Sequence, residues 1–263
     1  MYTFEYTRAQ SVDEAVQALA RSGGKVLAGG QSLVSAMKLR LAQPGTLVDV
    51  SAIPDLRGIR REGDALVIGA MARHAEVAAS DVVRSAIPAL ADLAQGIGDR
   101  QVRNRGTLGG SIANSDPAAC YPAAILGLGA TVHTERRAIP ADAFFTGMFE
   151  TALAPDEIIT SVRFPIPQCA AYVKFPNPAS RFALVGVFVA RTGNGVRVAV
   201  TGAAPCVFRV AALEAALGAR FEPAAAREVK IESAGLNDDL HGSPEYRAHL
   251  IRVLTARAVA AAR

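Results

Sequence analysis

Lys25-Val26-Leu27-Ala28-Gly29-Gly30-Gln31-Ser32-Leu33 runs from a short apolar strand, through two glycines, into a helix that Met37 and Leu41 continue. A strand turning through glycine into a helix aims several peptide N–H groups at one point, and the missing Cβ atoms let a ligand approach the backbone. A diphosphate suits such a loop. The stretch is neither the dinucleotide pattern Gly-x-Gly-x-x-Gly nor a Walker A sequence, since no Gly-Lys-Ser/Thr follows. Taken alone, it is equally compatible with a tight structural turn.

Upstream, Ser11-Val12-Asp13-Glu14 reads as a capping box, and Val12, Ala15, Val16 and Leu19 keep helical spacing until Gly23-Gly24. Downstream, 46–50 is a second strand, so residues 1–54 have the pattern of a small α/β unit. Residues 57–61 and 65–70 read as strands, and 74–95 as two helices broken near Pro88. A second glycine-rich segment follows, Arg105-Gly106-Thr107-Leu108-Gly109-Gly110-Ser111. Its glycines give backbone freedom, while Thr107, Ser111 and Asn114 offer side-chain hydrogen-bond groups. Residues 117–128 read as a helix, and 130–134 and 157–164 as strands, which makes 55–166 a second subdomain. Pro165-Ile166-Pro167 is a linker signal. Beyond it, 182–191 and 196–201 flank Thr192-Gly193-Asn194-Gly195, a hairpin signal, and 209–217 and 244–262 read as helices, the last capped by Ser243 with Pro244 in its first turn. Residues 167–263 thus form a separate α+β domain.

The 263 residues are 51% apolar and 20% charged, enough to bury a sizeable core and outside the range of disordered chains. Net charge is +4, yet 28 Lys and Arg are matched by 24 acids and never gather into a dense run, which argues against a nucleic-acid footprint. No stretch approaches the ~18 uninterrupted apolar residues of a membrane span, and the N-terminus lacks a signal-peptide pattern, so a cytoplasmic protein is expected. Cys120, Cys169 and Cys206 are scattered, without a Cys-x-x-Cys pair; any iron–sulfur cluster would sit on another chain. His74, His133, His241 and His249 are isolated and read as surface or helix-end residues, so no catalytic or metal-ligating residue is assigned. Arg103 and Arg105 suit a phosphate, a partner surface or a structural salt bridge.

Two glycine-rich segments without a metal site or nucleophile suggest one long ligand with a central diphosphate, the shape of FAD. Residues 25–33 with Met37-Lys38-Leu39-Arg40-Leu41 resemble the first FAD segment of carbon monoxide dehydrogenase medium subunits. Gln101-Val102-Arg103-Asn104-Arg105-Gly106-Thr107-Leu108-Gly109-Gly110-Ser111 with Asp116-Pro117-Ala118-Ala119 resembles their second. Tyr172-Val173-Lys174-Phe175 and Ala179-Ser180-Arg181-Phe182-Ala183 resemble the start of their C-terminal domain.

That resemblance implies an α+β chain: the two-subdomain FAD-binding fold of p-cresol methylhydroxylase and vanillyl-alcohol oxidase, plus a C-terminal domain. It implies an oxidoreductase subunit working beside a molybdopterin-binding large subunit and a [2Fe–2S] small subunit, as a dimer of heterotrimers. By position, Val26, Leu27, Ala28, Gly29, Gly30, Gln31, Ser32 and Leu33 would wrap the diphosphate, and Thr107, Leu108, Gly109, Gly110 and Ser111 would form a second polar wall, with Asn114 adding a polar group. Ile97 would lie near the cofactor. Ile159 would lie against the flavin or be an ordinary buried strand residue, and Lys174 would contact cofactor or be an exposed strand lysine. Cys120 occupies the place of a family Asp that binds the cofactor's sugar-like hydroxyls; alternatively it is a small buried hydrophobe. The expected function is to pass electrons from partner [2Fe–2S] clusters through FAD to an external acceptor. A free-standing flavin oxidase and a non-catalytic flavoprotein assembly module are the competing expectations; substrate and final acceptor are not legible.

Overall fold

The computed structural model describes residues 1–263 and builds them around three sheets. The first carries β1 (Glu5–Arg8), β2 (Lys25–Leu27) and β3 (Thr46–Asp49) in the order β1-β3-β2, all parallel, with α1 (Val12–Ser22) and α2 (Leu33–Lys38) in the crossovers. Ser11 caps α1 by accepting from the Glu14 N–H at 3.1 Å, while the Glu14 carboxylate reaches back one residue further than a standard capping box, to the Gln10 N–H. Gly23 ends the helix in left-handed backbone, φ 60°.

The second sheet contains β4 (Ile59–Glu62), β5 (Ala65–Gly69), β6 (Thr131–Thr134), β7 (Ala138–Pro140) and β10 (Ile159–Pro165), ordered β4-β5-β10-β6-β7 and antiparallel throughout. Between β5 and β6 the chain forms α3 (His74–Ala79), α4 (Asp81–Ala86), α5 (Pro88–Gln95), α6 (Arg100–Arg105), α7 (Leu108–Asn114) and α8 (Tyr121–Leu128). After β7 come α9 (Ala141–Phe144) and a small hairpin of β8 (Phe145–Gly147) and β9 (Glu150–Thr151).

The third sheet is antiparallel, β11 (Cys169–Pro176), β12 (Ala183–Thr192), β13 (Gly195–Thr201) and β14 (Phe208–Arg209) in sequence order, followed by α10 (Ala211–Ala219), α11 (Pro223–Glu228) and α12 (Pro244–Ala261). Both its faces are covered, which is why residues 183–190 are buried without alternation. Phe188, Ala190 and Ala199 join the core of the second unit, while Val187, Val189, Val198 and Val200 pack with Leu213, Ile251 and Leu254 of α10 and α12. Gly127 permits the close approach of α8, because a Cβ there would stand 2.8 Å from the Phe188 ring.

Several elements depart from the sequence reading. The helix after the first glycine loop stops at Lys38 instead of reaching Leu41: Arg40 is left-handed (φ 61°) and Leu41 is 80% exposed. Residues 74–95 make three helices, because Ser80 stops α3 and caps α4 through the Val83 N–H. Only 121–128 of the 117–128 stretch is helical; 117–120 is a turn. The hairpin turn is centred on Gly193-Asn194, one residue earlier than the Asn-Gly signal, since Thr192 pairs with Gly195. Strand β4 begins at Ile59, α10 spans Ala211–Ala219, and α11 was not foreseen.

Candidate functional site

A cleft of about 1210 Å³ lies where the three units meet, above the 300–1,000 Å³ usual for small-ligand pockets. Residues from all three sheets and their connections line it. The first glycine segment presses directly on the second: a Cβ on Gly29 would stand 2.2 Å from the Arg105 carbonyl oxygen, and one on Gly110 would stand 3.5 Å from Ala28 Cβ. Gly29 is therefore demanded by a backbone contact. Gly30 is demanded by conformation, at φ 73°.

The two segments differ in what they leave free. The backbone N–H groups of Gly29, Gly30, Gln31 and Ser32 find no acceptor within the chain. In the second segment every corresponding N–H is occupied: Leu108 donates to Ala72 O (3.0 Å), Gly109 to Ala70 O (2.8 Å), Gly110 to Thr107 Oγ1 (3.1 Å) and Ser111 to Thr107 O (3.0 Å). This segment is the first turn of α7, with Thr107 as its N-cap. Its free groups are the side chains of Ser111 and Asn114, which border the cleft and make no hydrogen bond in the chain.

Of the residues expected at a ligand, Val26, Ala28 to Leu33, Ile97, Thr107, Gly109 to Ser111, Asn114, Cys120, Ile159 and Lys174 all border this one cleft. Leu27 and Leu108 do not. Leu27 packs under Gly30, and Leu108 is fully buried in the central core. Lys174, expected on a strand, ties two units together: its ammonium donates to the carbonyls of Gly96 (2.7 Å) and Arg181 (3.1 Å) and stands 3.6 Å from the Cys120 thiol. Cys120 is 6% exposed at the start of α8.

Comparison with known proteins places this arrangement. Residues 2–167 match the family model described as the FAD binding domain in molybdopterin dehydrogenase, and residues 170–262 match the CO dehydrogenase flavoprotein C-terminal domain. The chain belongs to this family. It is 38% identical to the carbon monoxide dehydrogenase medium chain of Hydrogenophaga pseudoflava, over 98% of this chain and 96% of that one, and 36% identical to the nicotine 6-hydroxylase medium subunit of Paenarthrobacter nicotinovorans, over 97% and 95%. A solved structure of carbon monoxide dehydrogenase from Hydrogenophaga pseudoflava superposes with a TM-score of 0.90 at 37% identity, covering 99% of this chain and 97% of that one. This FAD subunit is an oxidoreductase component with the expected two-part FAD-binding fold and C-terminal domain, and FAD is its cofactor.

In this subunit His74, Phe149, Glu157 and Arg181, none of them expected at a ligand, also border the cleft. His74, read as a surface or helix-end residue, does open α3 but is buried; its ring lies against Gly106 and 5.3 Å from that of Tyr121. Burial, with the Arg103 charge, pulls its pKa down to about 4, which keeps the imidazole neutral. Arg103 forms no salt bridge and donates to the carbonyls of Ile97 and Gly98, both at 2.9 Å. Glu157 anchors the wall that includes Ile158 and Ile159: it accepts from Arg137 (2.8 Å), Thr134 (2.8 Å) and the Ala154 N–H (2.9 Å), and its pKa falls to about 2 chiefly through the Arg137 bond. Phe149 and Arg181 stand on the rim in left-handed backbone, φ 57° and 61°. Phe149 lies in the turn of the β8–β9 hairpin and Arg181 in the loop between β11 and β12, and neither leaves a periodic signal. No helix is long and apolar enough to cross a membrane.

Proposed function

We propose that this chain is the electron-exit subunit of a cytoplasmic molybdenum hydroxylase, receiving electrons from [2Fe–2S] clusters on a small subunit and handing them to an external acceptor. Its partners are that subunit and a molybdopterin-binding large subunit, assembled as a dimer of heterotrimers, and its domains are 1–54, 55–166 and 167–263. The observation that carries the reading is the free N–H array of Gly29 to Ser32, pressed against the second glycine segment in a cleft of about 1210 Å³. Four consecutive unpartnered peptide donors, two of them on glycines, suit a diphosphate.

In this reading those donors hold the diphosphate, Ser111 and Asn114 add polar contacts, and Val26, Ala28 and Leu33 complete the first segment's wall. Ile97 and Ile159 supply apolar surface for a ring. Lys174 holds the third unit against the second so that the cleft stays closed on that side. When bound, FAD supplies the interchange between two-electron and one-electron transfer, and the protein supplies position and a tuned environment. The chain's own residues offer no acid–base pair or metal cluster for activating a hydroxylase substrate.

The test uses the assembled complex with and without FAD in this subunit, under rapid mixing with substrate. Substrate should bleach cluster and flavin bands in the complete complex, whereas the FAD-depleted complex should reduce its clusters but turn over poorly with acceptor. Turnover of hydroxylase substrate by the isolated subunit at the rate of the complex would overturn the proposal in favour of a free-standing oxidase.

A further inference from the structure

Four carboxylates border the cleft, and they differ in how much of their bonding capacity the chain itself consumes. Glu157 is saturated by Arg137, Thr134 and the Ala154 N–H. Asp99 is exposed and caps α6 by accepting from the Val102 N–H; Glu150 is exposed on the β8–β9 hairpin. Asp116 is unlike the others. One of its oxygens, Oδ1, accepts from the Ala118 N–H at 2.8 Å, Oδ2 has no partner, and no Lys or Arg forms an ion pair with it. Burial pushes its carboxyl above the usual range.

The turn that carries Asp116 is fixed from behind. Thr201 Oγ1 lies 2.6 Å from the Pro117 carbonyl and 2.7 Å from that of Ala119, and the Gly202 N–H donates to Pro117 O at 2.7 Å. These bonds hold the backbone just after Asp116 against the third sheet. A partly desolvated carboxylate oxygen with no donor of its own, on a rigid turn in a ligand cleft, is matched by a ligand that brings hydroxyl donors. Cys120 is ill-suited to that part, because a thiol is a weak acceptor and this one already faces the Lys174 ammonium.

We infer that Asp116 is a cofactor-binding residue: its carboxylate accepts hydrogen bonds from the sugar-alcohol hydroxyls of the dinucleotide, the part that the resemblance gives to an Asp at the position of Cys120. The inference rests on the FAD reading above. Asp116→Asn is the informative variant, since its retained Oδ1 keeps the Ala118 turn while Oδ2 becomes a donor. Full-length apoprotein is titrated with FAD as wild type, Asp116→Asn, Cys120→Asp and the double variant, and the melting temperature of each apoprotein is recorded. Asp116→Asn should bind FAD about tenfold more weakly with unchanged apoprotein melting. Cys120→Asp should bind at least as tightly as wild type, and the double variant should recover most of the loss by returning a carboxylate to the neighbouring position. Undiminished affinity in Asp116→Asn overturns this role alone. A loss accompanied by lower apoprotein melting, without recovery in the double variant, overturns it as merely structural, and failure of wild type to bind FAD overturns both this role and the FAD reading.

Discussion

Replacing Glu157 by Gln tests how the cleft wall is held. The carboxylate is buried, with 1% of its side chain exposed, and its pKa drops from 4.5 to about 2, first through Arg137 and then, against the cost of burial, through Ala154 and Thr134. A shift of that size corresponds to at most about 3.4 kcal/mol of native-state stability, at about 1.36 kcal/mol per pKa unit. The Arg137 side chain is 51% exposed, so solvent screening reduces the figure; about 2 kcal/mol remains. Because the folded pKa is depressed, the contribution is complete above pH 4.5 and is lost as pH falls from there toward 2. Glu157→Gln should therefore lower the apoprotein melting temperature at pH 7 by about 4–8 °C. The gap to wild type should narrow as pH falls from 4.5 toward 2, where the carboxyl protonates first in the unfolded chain and only near 2 in the folded one. Calorimetry at stepped pH reads both. Equal melting at pH 7, or a gap independent of pH, would refute the reasoning.

Gly29→Ala should empty the site, because a Cβ 2.2 Å from the Arg105 carbonyl forces the two glycine segments apart; overpacking against backbone costs on the order of 1–3 kcal/mol, and the flavin absorbance per chain of purified protein is the readout. His74 is held neutral with a pKa of about 4 against an ordinary 6.5. Its contribution to stability is present above pH 6.5 and is lost as pH falls from there through 4, so its ring proton signals should not titrate between pH 5 and 8, and a transition near 6.5 would show the ring to be solvated.

Much of the fold was legible where one local rule acted alone. Ser11, Gly23 and Ser243 mark helix ends through cap chemistry that needs no tertiary context, and the structure puts each at the expected end. The errors arise where apolar spacing and packing part company. Leu33, Met37 and Leu41 have helical spacing, yet only Met37 finds a core, and the helix stops once its next apolar residue has nothing to cover. Ser80 escaped notice because apolar spacing continues on both sides of it. Strands of two or three residues, such as β8 and β9, are too short for any period to register.

The site followed a different rule. Glycine spacing pointed to both segments, because glycine is favoured where a Cβ would strike neighbouring backbone, as at Gly29 beside Arg105, or where φ is positive, as at Gly30. What spacing could not reveal is the division of labour between them. Thr107 looked like a ligand group by composition, but a threonine beside a helix start is also an N-cap, and here its Oγ1 accepts from Gly110 while Ala70 and Ala72 absorb the next donors. That distinction depends on β5 and its extension lying beside α7, a long-range contact invisible in a local pattern. The same logic governs Asp116, His74 and Glu157: each is one acid or imidazole among many in the sequence, and only burial and the bonds already spent separate a saturated anchor from a group with an oxygen still free. A search for ligand-binding residues in this cleft is therefore best directed by subtraction. Donors and acceptors satisfied by the chain are set aside, and those left over, the N–H groups of Gly29 to Ser32 and Oδ2 of Asp116, are the groups whose bonding a bound ligand would complete.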